Sequence, residues 1–354
     1  MQAPERSVLH VLPHPGGGGE TYVDLLDEMP GYRFDRVFLA PSPTPSPSEL
    51  GRGLADALRH VRRHDLLHVH GEVASGLCLA LLSTRPSVVT LHGLNLVRRV
   101  TGARRVAAAL NLRAVLRAAD RTICVSKSEY DHLVRAVGCR VPRRAVVIRN
   151  GVRLPVHASE IERGEARKQL GIAESEVVGI WVGSLDEHKS PLTAVHAAQR
   201  AEITLLVVGD GPLRAQVERA ASERIRALGQ RSDVPRLLAA ADLYVLTSRR
   251  EGLALSLLEA MAHGLAPVVT DLPENLEAIG DAGICVRPDD SSVSAGLRRL
   301  ATDPDERADL GARASRRVSR LFNAAEMARR TRALYDDVLA LGRLSSAATY
   351  PGTA

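Results

Sequence analysis

Two glutamates eight residues apart, Glu251 and Glu259, bound the run EGLALSLLE, which continues into AMAHG. The apolar stretch 243–247 before them reads as a strand, so a helix has to begin near Leu255. That places Glu251 in the turn and Glu259 about one turn into the helix. Eight helical residues rise about 12 Å, roughly the reach from the sugar of a nucleotide-diphosphate sugar to its ribose. Between them, the first-turn amides at Leu255 and Ser256 lack partners inside the helix and sit at its positive end, a site suited to a diphosphate. One carboxylate would grip sugar hydroxyls, the amides phosphate, and the other carboxylate the ribose. Taken alone, two glutamates at this spacing are more often ordinary helix-terminal residues.

Other stretches offer chemistry with an ordinary explanation beside it. Pro15-Gly16-Gly17-Gly18-Gly19-Glu20 follows a strand and opens a helix, and its glycines would let backbone approach a phosphate. It lacks the third glycine of a dinucleotide fingerprint and the Lys-Ser/Thr of a P-loop, and it is also a plausible tight turn. Thr90-Leu91-His92-Gly93 closes another strand at its carboxyl edge, where a lone histidine is more often structural than catalytic. Asp303-Pro304-Asp305 is the one D-x-D triplet. With Pro304 where a first helical turn would start, capping accounts for it, and no metal site is expected.

The whole run 237–279, LLAAADLYVLTSRREGLALSLLEAMAHGLAPVVTDLPENLEAI, resembles the donor-binding segment of family 4 glycosyltransferases, which are retaining, nucleotide-sugar-dependent enzymes of GT-B fold. The family pattern E-x7-E, then A-M-A-x-G-x-P-V-V, is departed from only at Leu265-Ala266. The resemblance implies that Gly17, Gly18 and Gly19 belong to a mobile loop facing the donor diphosphate, and that His92 lies beside the transferred sugar. It implies that Trp181-Val182-Gly183-Ser184-Leu185-Asp186-Glu187-His188-Lys189 is the segment whose arginine and lysine hold the diphosphate. Lys189 matches, whereas Ser184 replaces the arginine, and His188, Arg249 or Arg250 are the nearby candidates to compensate. Gly209 and Arg231 fall in strand-end loops near phosphate and base, and Asn150-Gly151-Val152 matches an N-G-V at the domain junction. Glu251 and His92 are thus the expected catalytic pair, with Leu255, Ser256 and Glu259 in the donor site. A nucleotide-sugar 2-epimerase of the same fold and a catalytically weakened donor-binding subunit are the rival readings. A nicotinamide-dependent dehydrogenase is the weakest.

The elements that would position these residues alternate. Strands are expected at 7–12, 36–40, 66–70, 87–91, 121–125 and 145–149, with helices at 21–29, 51–64 and 99–119. The pattern restarts with strands at 177–182, 203–208, 243–247, 266–270 and 283–286. Helices at 191–200, 212–223, 234–241 and 255–263 separate them. Such alternation predicts an α/β chain of two doubly wound Rossmann-like domains facing across a cleft, the GT-B arrangement, with ligands at the carboxyl ends of the strands. The expected domains are 1–155 on the acceptor side and 156–323 on the donor side. A helix at 324–342 packs back on the first domain and a flexible tail runs from 343 to 354. The polar segment 155–165 is the expected linker, and 41–48 (PSPTPSPS) a loop.

At 354 residues, two domains are the default. Aromatics make up only 3%, so Leu, Val, Ile and Ala must fill the core. The four scattered cysteines Cys78, Cys124, Cys139 and Cys285 form no C-x-x-C pair, which fits a reducing cytoplasm rather than a disulfide or zinc framework. No signal pattern opens the chain and no run is long and apolar enough to span a bilayer. Residues 1–155 carry 22 basic and 13 acidic side chains, against 25 and 28 in the remainder. The basic half suggests an anionic partner, or simply a solvated arginine-rich surface. The segment 98–121 concentrates it, with seven arginines and the stripe Val106, Leu110, Leu112, Val115 and Leu116. That stripe either faces its own sheet or lets the domain rest peripherally on an anionic membrane at the inner face. The expected partners are therefore a nucleotide-sugar donor and a sugar, lipid-linked or small-molecule acceptor. No cofactor and no nucleic acid are expected.

Overall fold

The computed structural model describes residues 5–138, 144–155 and 160–347. Cys139, part of the 155–165 segment and most of the expected tail lie outside them. Six short apolar runs form the first sheet: β1 (Arg6–Leu12), β2 (Tyr32–Phe38), β3 (Leu66–His70), β4 (Ser87–Thr90), β5 (Arg121–Cys124) and β6 (Ala145–Val147). All pairings are parallel, in the order β2-β1-β3-β4-β5-β6. A second parallel sheet contains β7 (Val178–Val182), β8 (Thr204–Val208), β9 (Ile225–Gly229), β10 (Leu243–Leu246), β11 (Ala266–Thr270) and β12 (Ile284–Val286). Its order is β12-β11-β10-β7-β8-β9. Strands covered on both faces by helices read as near-continuous apolar runs, and the central ones are buried throughout.

Strand order reverses between β1 and β3 in the first sheet and between β7 and β10 in the second. In doubly wound sheets the carboxyl ends at this switch point diverge and leave a crevice. The loops that carry the candidate residues leave β1, β3 and β4 in one sheet, and β7 and β10 in the other.

Several expectations are corrected. β2 starts four residues earlier than expected, because Tyr32 pairs in register with Arg6. β9 was not expected; it is an edge strand whose Arg226 interrupts the apolar pattern. The helix expected at 51–64 is Pro47–Val61, opened by a capping box in which Ser46 and Glu49 bond reciprocally, so the Pro/Ser loop is shorter. The single helix expected at 99–119 is two, Asn95–Arg99 and Gly102–Ala118, broken by extended backbone at Val100 and Thr101. Half of the expected linker is the helix Glu160–Leu170. Its Arg167 is buried and donates to the carbonyls of Ala240 (2.9 Å) and Ala173 (2.8 Å). Asp303 caps the helix Pro304–Leu321, accepting from the Glu306 amide at 2.9 Å.

The chain forms two compact units, Gly151–Ala324 and Met1–Asn150 with Ala325–Ala354. The first division thus falls at 150/151, not at the expected 155/156. Val152 explains it: its amide donates to Phe322 O (2.9 Å) and its carbonyl accepts from Ala324 N (3.0 Å), tying 151–154 to the end of the second unit. Gly151 lies so close to Asn323 that a Cβ there would sit 2.6 Å from its backbone. The last helix, Ala324–Ala347, sends Met327, Leu334, Tyr335 and Val338 into a core of the first unit with Val8, Leu12 and Tyr22.

Candidate functional site

In the second unit, β7 and β10 are neighbours, and the loops leaving their carboxyl ends are bonded to one another. Trp181 donates to Thr247 Oγ1 (3.1 Å), which donates in turn to Ser190 O (2.8 Å), and Arg249 N donates to His188 O (2.7 Å). These bonds bring Lys189 Nζ to 2.6 Å from Glu251 Oε1. The Glu251 side chain is 7% exposed and that of Lys189 27%, so this ion pair is partly desolvated. Asp186 orients the lysine's turn by accepting from the amides of His188 (2.8 Å) and Lys189 (3.0 Å). The sequence named both residues but gave no sign that they meet.

The helix after Glu251 is Leu255–Ala262. Its N-cap residue is Ala254, which has no side-chain oxygen to offer the first amides. Ser256 Oγ accepts from Tyr244 at 2.8 Å. Glu259 is half-buried, and among the described residues no group hydrogen-bonds to its carboxylate. Burial pushes its pKa up to about 7, because a carboxylate without a compensating donor resists ionising.

Other expected residues are placed more ordinarily. Gly209 has φ +139°, and a Cβ there would come within 1.8 Å of Gly183 O, so close packing of two loops already demands glycine. Ser184 is exposed, and its carbonyl accepts from Asp186 N at 2.8 Å. Arg250 donates to His188 Nε2 at 2.9 Å. Arg231 makes a bidentate pair with Asp233, both bonds 2.7 Å, at the surface after β9.

In the first unit, Gly16 and Gly17 take positive φ before the short helix Gly18–Asp24, and Gly16 N donates to Glu20. His92 follows β4 with φ +55°, a left-handed conformation that costs about 1–3 kcal/mol in a residue with a Cβ. Glu129 holds that turn: its buried carboxylate accepts from Gly93 N and from Val125 N, the latter at 2.6 Å. Glu72 does the same for Leu96 N (2.8 Å) and Val97 N (3.1 Å). Neither glutamate was singled out from sequence. Nor were His10, His68 and His70, whose rings lie behind His92. The signal for the last two was present, as HVH in a strand otherwise buried and apolar.

An open cavity of about 840 Å³ lies elsewhere, at the amino ends of β7 and β8, with Glu176, Thr204, Arg224 and Arg226 among its walls. Thr204 is bonded to Glu176, Arg224 to Glu202 O and Arg226 to Leu170 O, so these groups face one another rather than a ligand.

Comparison with known proteins now decides the family. Residues 9–154 match the family model Glycosyltransferase Family 4, and residues 176–303 match Glycosyl transferases group 1. The chain belongs to glycosyltransferase family 4. It is 29% identical over 231 residues to the UDP-Gal:alpha-D-GlcNAc-diphosphoundecaprenol alpha-1,3-galactosyltransferase of Escherichia coli, covering 60% of this chain and 59% of that one. It is 29% identical over 299 residues to N-acetyl-alpha-D-glucosaminyl L-malate synthase of Bacillus anthracis, covering 78% and 75%. Anabaena HepE, solved in complex with UDP-glucose, superposes with a TM-score of 0.78 at 20% identity, over 94% of this chain and 99% of that one. These likenesses establish the GT-B fold. Within this family 4 member, Glu251 and Glu259 lie on either side of a helix N-terminus beside Lys189.

Proposed function

We propose that the chain transfers a sugar from a nucleotide-diphosphate donor to an acceptor hydroxyl, with retention and without a metal. The observation that carries this reading is the group of Lys189, Glu251, an uncapped helix start and Glu259, unpartnered among the described residues, at one switch point. In the reaction, the bond between the anomeric carbon and the diphosphate oxygen breaks, and the acceptor oxygen bonds to that carbon. The acceptor's proton leaves with the diphosphate. Negative charge grows on the phosphate oxygens, where Lys189 and the amides of Leu255 and Ser256 would meet it. By the family resemblance, Gly17, Gly18 and Gly19 would be the first unit's diphosphate-facing loop, and Arg231 would lie near the base. Glu251 would orient the sugar, Glu259 the ribose, and His92 the reacting end of the donor. Retention is supported by family membership. A uridine nucleotide is supported by the ligand of HepE and the name of the galactosyltransferase.

Glu259→Ala is expected to weaken binding of the free nucleoside diphosphate roughly tenfold or more, the scale of a charge-assisted hydrogen bond. Glu251→Ala should chiefly slow transfer. Calorimetry with the nucleotide alone separates them, and equal loss in both variants would remove this assignment. Excess chelator should leave the rate unchanged. Loss of activity restored by magnesium or manganese would mean that Lys189 and the amides do not suffice.

A lipid-linked acceptor is supported by the surface of the helix Gly102–Ala118. Leu112, Val115 and Leu116 face the unit's own core, so the expected single stripe divides. Val106 (60% exposed) and Leu110 (54%) face outward, one turn apart. Val73 (54%) and Leu77 (41%) are likewise exposed on Glu72–Leu77, which packs on that helix at Gly76 and Asn111. Arg99, Arg104, Arg105 and Arg117 are exposed in the same region. Basic residues near anionic lipid contribute about 1 kcal/mol each, and the apolar side chains would enter the interface. Anionic vesicles should sediment the protein at low salt, neutral ones should not, and Val106→Asp with Leu110→Asp should release it. Equal binding to both vesicles would point to a soluble acceptor.

A further inference from the structure

A row of three imidazoles runs from β1 through β3 to the turn after β4. His10 Nδ1 lies 2.7 Å from His70 Nε2, and His70 Nδ1 lies 2.9 Å from His92 Nε2. The rings are nearly parallel, at 27° and 26°, with centroids 5.0 and 5.2 Å apart. Burial keeps all three uncharged at neutral pH: His10 is lowered to about 3, with Arg36 contributing, and His92 to about 4. His70 lies well below its usual value for the same reason.

A neutral imidazole has one N–H and one lone pair, so the sense of one link dictates the next. Only two arrangements satisfy both bonds. In one, His10 donates to His70, His70 donates to His92 Nε2, and His92 carries its proton on Nδ1. In the other, every bond is reversed, and His92 Nδ1 offers a lone pair. The far end of the row separates them. His10 Nε2 is buried and has no hydrogen-bond partner among the described residues. The reversed arrangement would leave an N–H orphaned there, and buried orphan donors are rarer than under-satisfied acceptors.

We propose that His10 and His70 fix His92 as its Nδ1–H tautomer, so that His92 presents a hydrogen-bond donor to an oxygen lone pair of the sugar. His70 is then a positioning residue for His92, and this rests on the proposed place of His92 at the reacting end of the donor. Among the described residues no group bonds to His92 Nδ1, and the strained turn that aims it is held by Glu129. The His68 ring lies tilted at 31° beside that of His70, centroids 4.1 Å apart, but does not extend the row. Its nitrogens are engaged by Tyr335 (2.6 Å) and Thr90 (2.7 Å). The nitrogens of His10, His68 and His70 lie within 4.8 Å of one another, yet a cation would have to break these bonds to use them.

The test is nitrogen NMR of the full chain labelled at histidine, with the His92 signals assigned by their loss in His92→Gln. Free imidazole favours the Nε2–H form, so an Nδ1–H His92 is the expected and diagnostic result. His70→Phe should return His92 to Nε2–H and lower kcat roughly 10–100-fold, as loss of a histidine's supporting partner does elsewhere, with donor KM unchanged. His70→Asn keeps an N–H near Nδ1 and should restore both. An Nε2–H His92 in the unaltered protein overturns the proposal, even where His70→Phe fails to fold. So does stoichiometric zinc binding that shifts these signals. Full activity of His92→Gln beside an Nδ1–H signal would sustain the tautomer inference and remove His92 from the chemistry.

Discussion

Lys189→Met is expected to lower kcat/KM by roughly 10²–10³-fold, the usual loss when one group facing transition-state charge is removed. It should also destabilise the second unit. Glu251 is 7% exposed and loses its cation. Breaking a fully buried pair costs about 3–5 kcal/mol, and because Lys189 is 27% exposed and reached by water, about 1–2 kcal/mol is the expected share. Lys189→Met with Glu251→Gln removes both charges together. The double variant should regain most of the stability and none of the transfer. Thermal unfolding and a transfer assay on the three proteins decide the matter. Wild-type rate in stable Lys189→Met would make the pair purely structural.

That ion pair shows where the sequence stops being legible. The run around Glu251 and Glu259 is local: a strand, a turn and a helix start, all readable from period and composition. Lys189 is 62 residues away along the chain, and the two meet because β7 and β10 are neighbours at the point where strand order reverses. Local pattern gives the strands but not their order. The histidine row was hidden for the same reason, since β3 lies beside β1 although β2 intervenes in the chain. Glu129 was missed because its task is defined by its partner, the amide of Gly93, which belongs to another element. What escaped in the fold was weakly patterned. β9 is an edge strand carrying an arginine, and the helix Glu160–Leu170 is too polar to announce a buried face. Its buried members are Ala166 and Arg167, and the Arg167 guanidinium replaces apolar packing with bonds to three carbonyls.

Acidification should unfold the first unit well before the carboxylates titrate. His10, His68, His70 and His92 are all held neutral by burial, with folded pKa values lowered to about 3 for His10 and about 4 for His92. Unfolded, each returns to about 6.5. A histidine lowered in the fold binds fewer protons folded than unfolded, so stability rises with pH and is lost as pH falls below about 6.5. At pH 5 His10 and His92 each cost about 2 kcal/mol, and His68 and His70 act in the same direction. Together they take a large share of the roughly 5–15 kcal/mol that holds a typical domain. Glu259, raised to about 7, acts in the opposite sense: it is protonated sooner in the fold, so its contribution grows as pH falls from 7 toward 4.5. It is one group and lies in the other unit. The chain's one tryptophan, Trp181, is also there, whereas Tyr22, Tyr32 and Tyr335 pack in the first unit. Tyrosine near-ultraviolet dichroism should therefore fall between pH 6.5 and 5 to the share of Tyr244, buried in the second unit, while tryptophan fluorescence persists. His10→Phe, which removes one buried imidazole, should shift the tyrosine transition to lower pH. Simultaneous loss of both signals, at a pH where only carboxylates titrate, would show that the histidines are not what acid attacks.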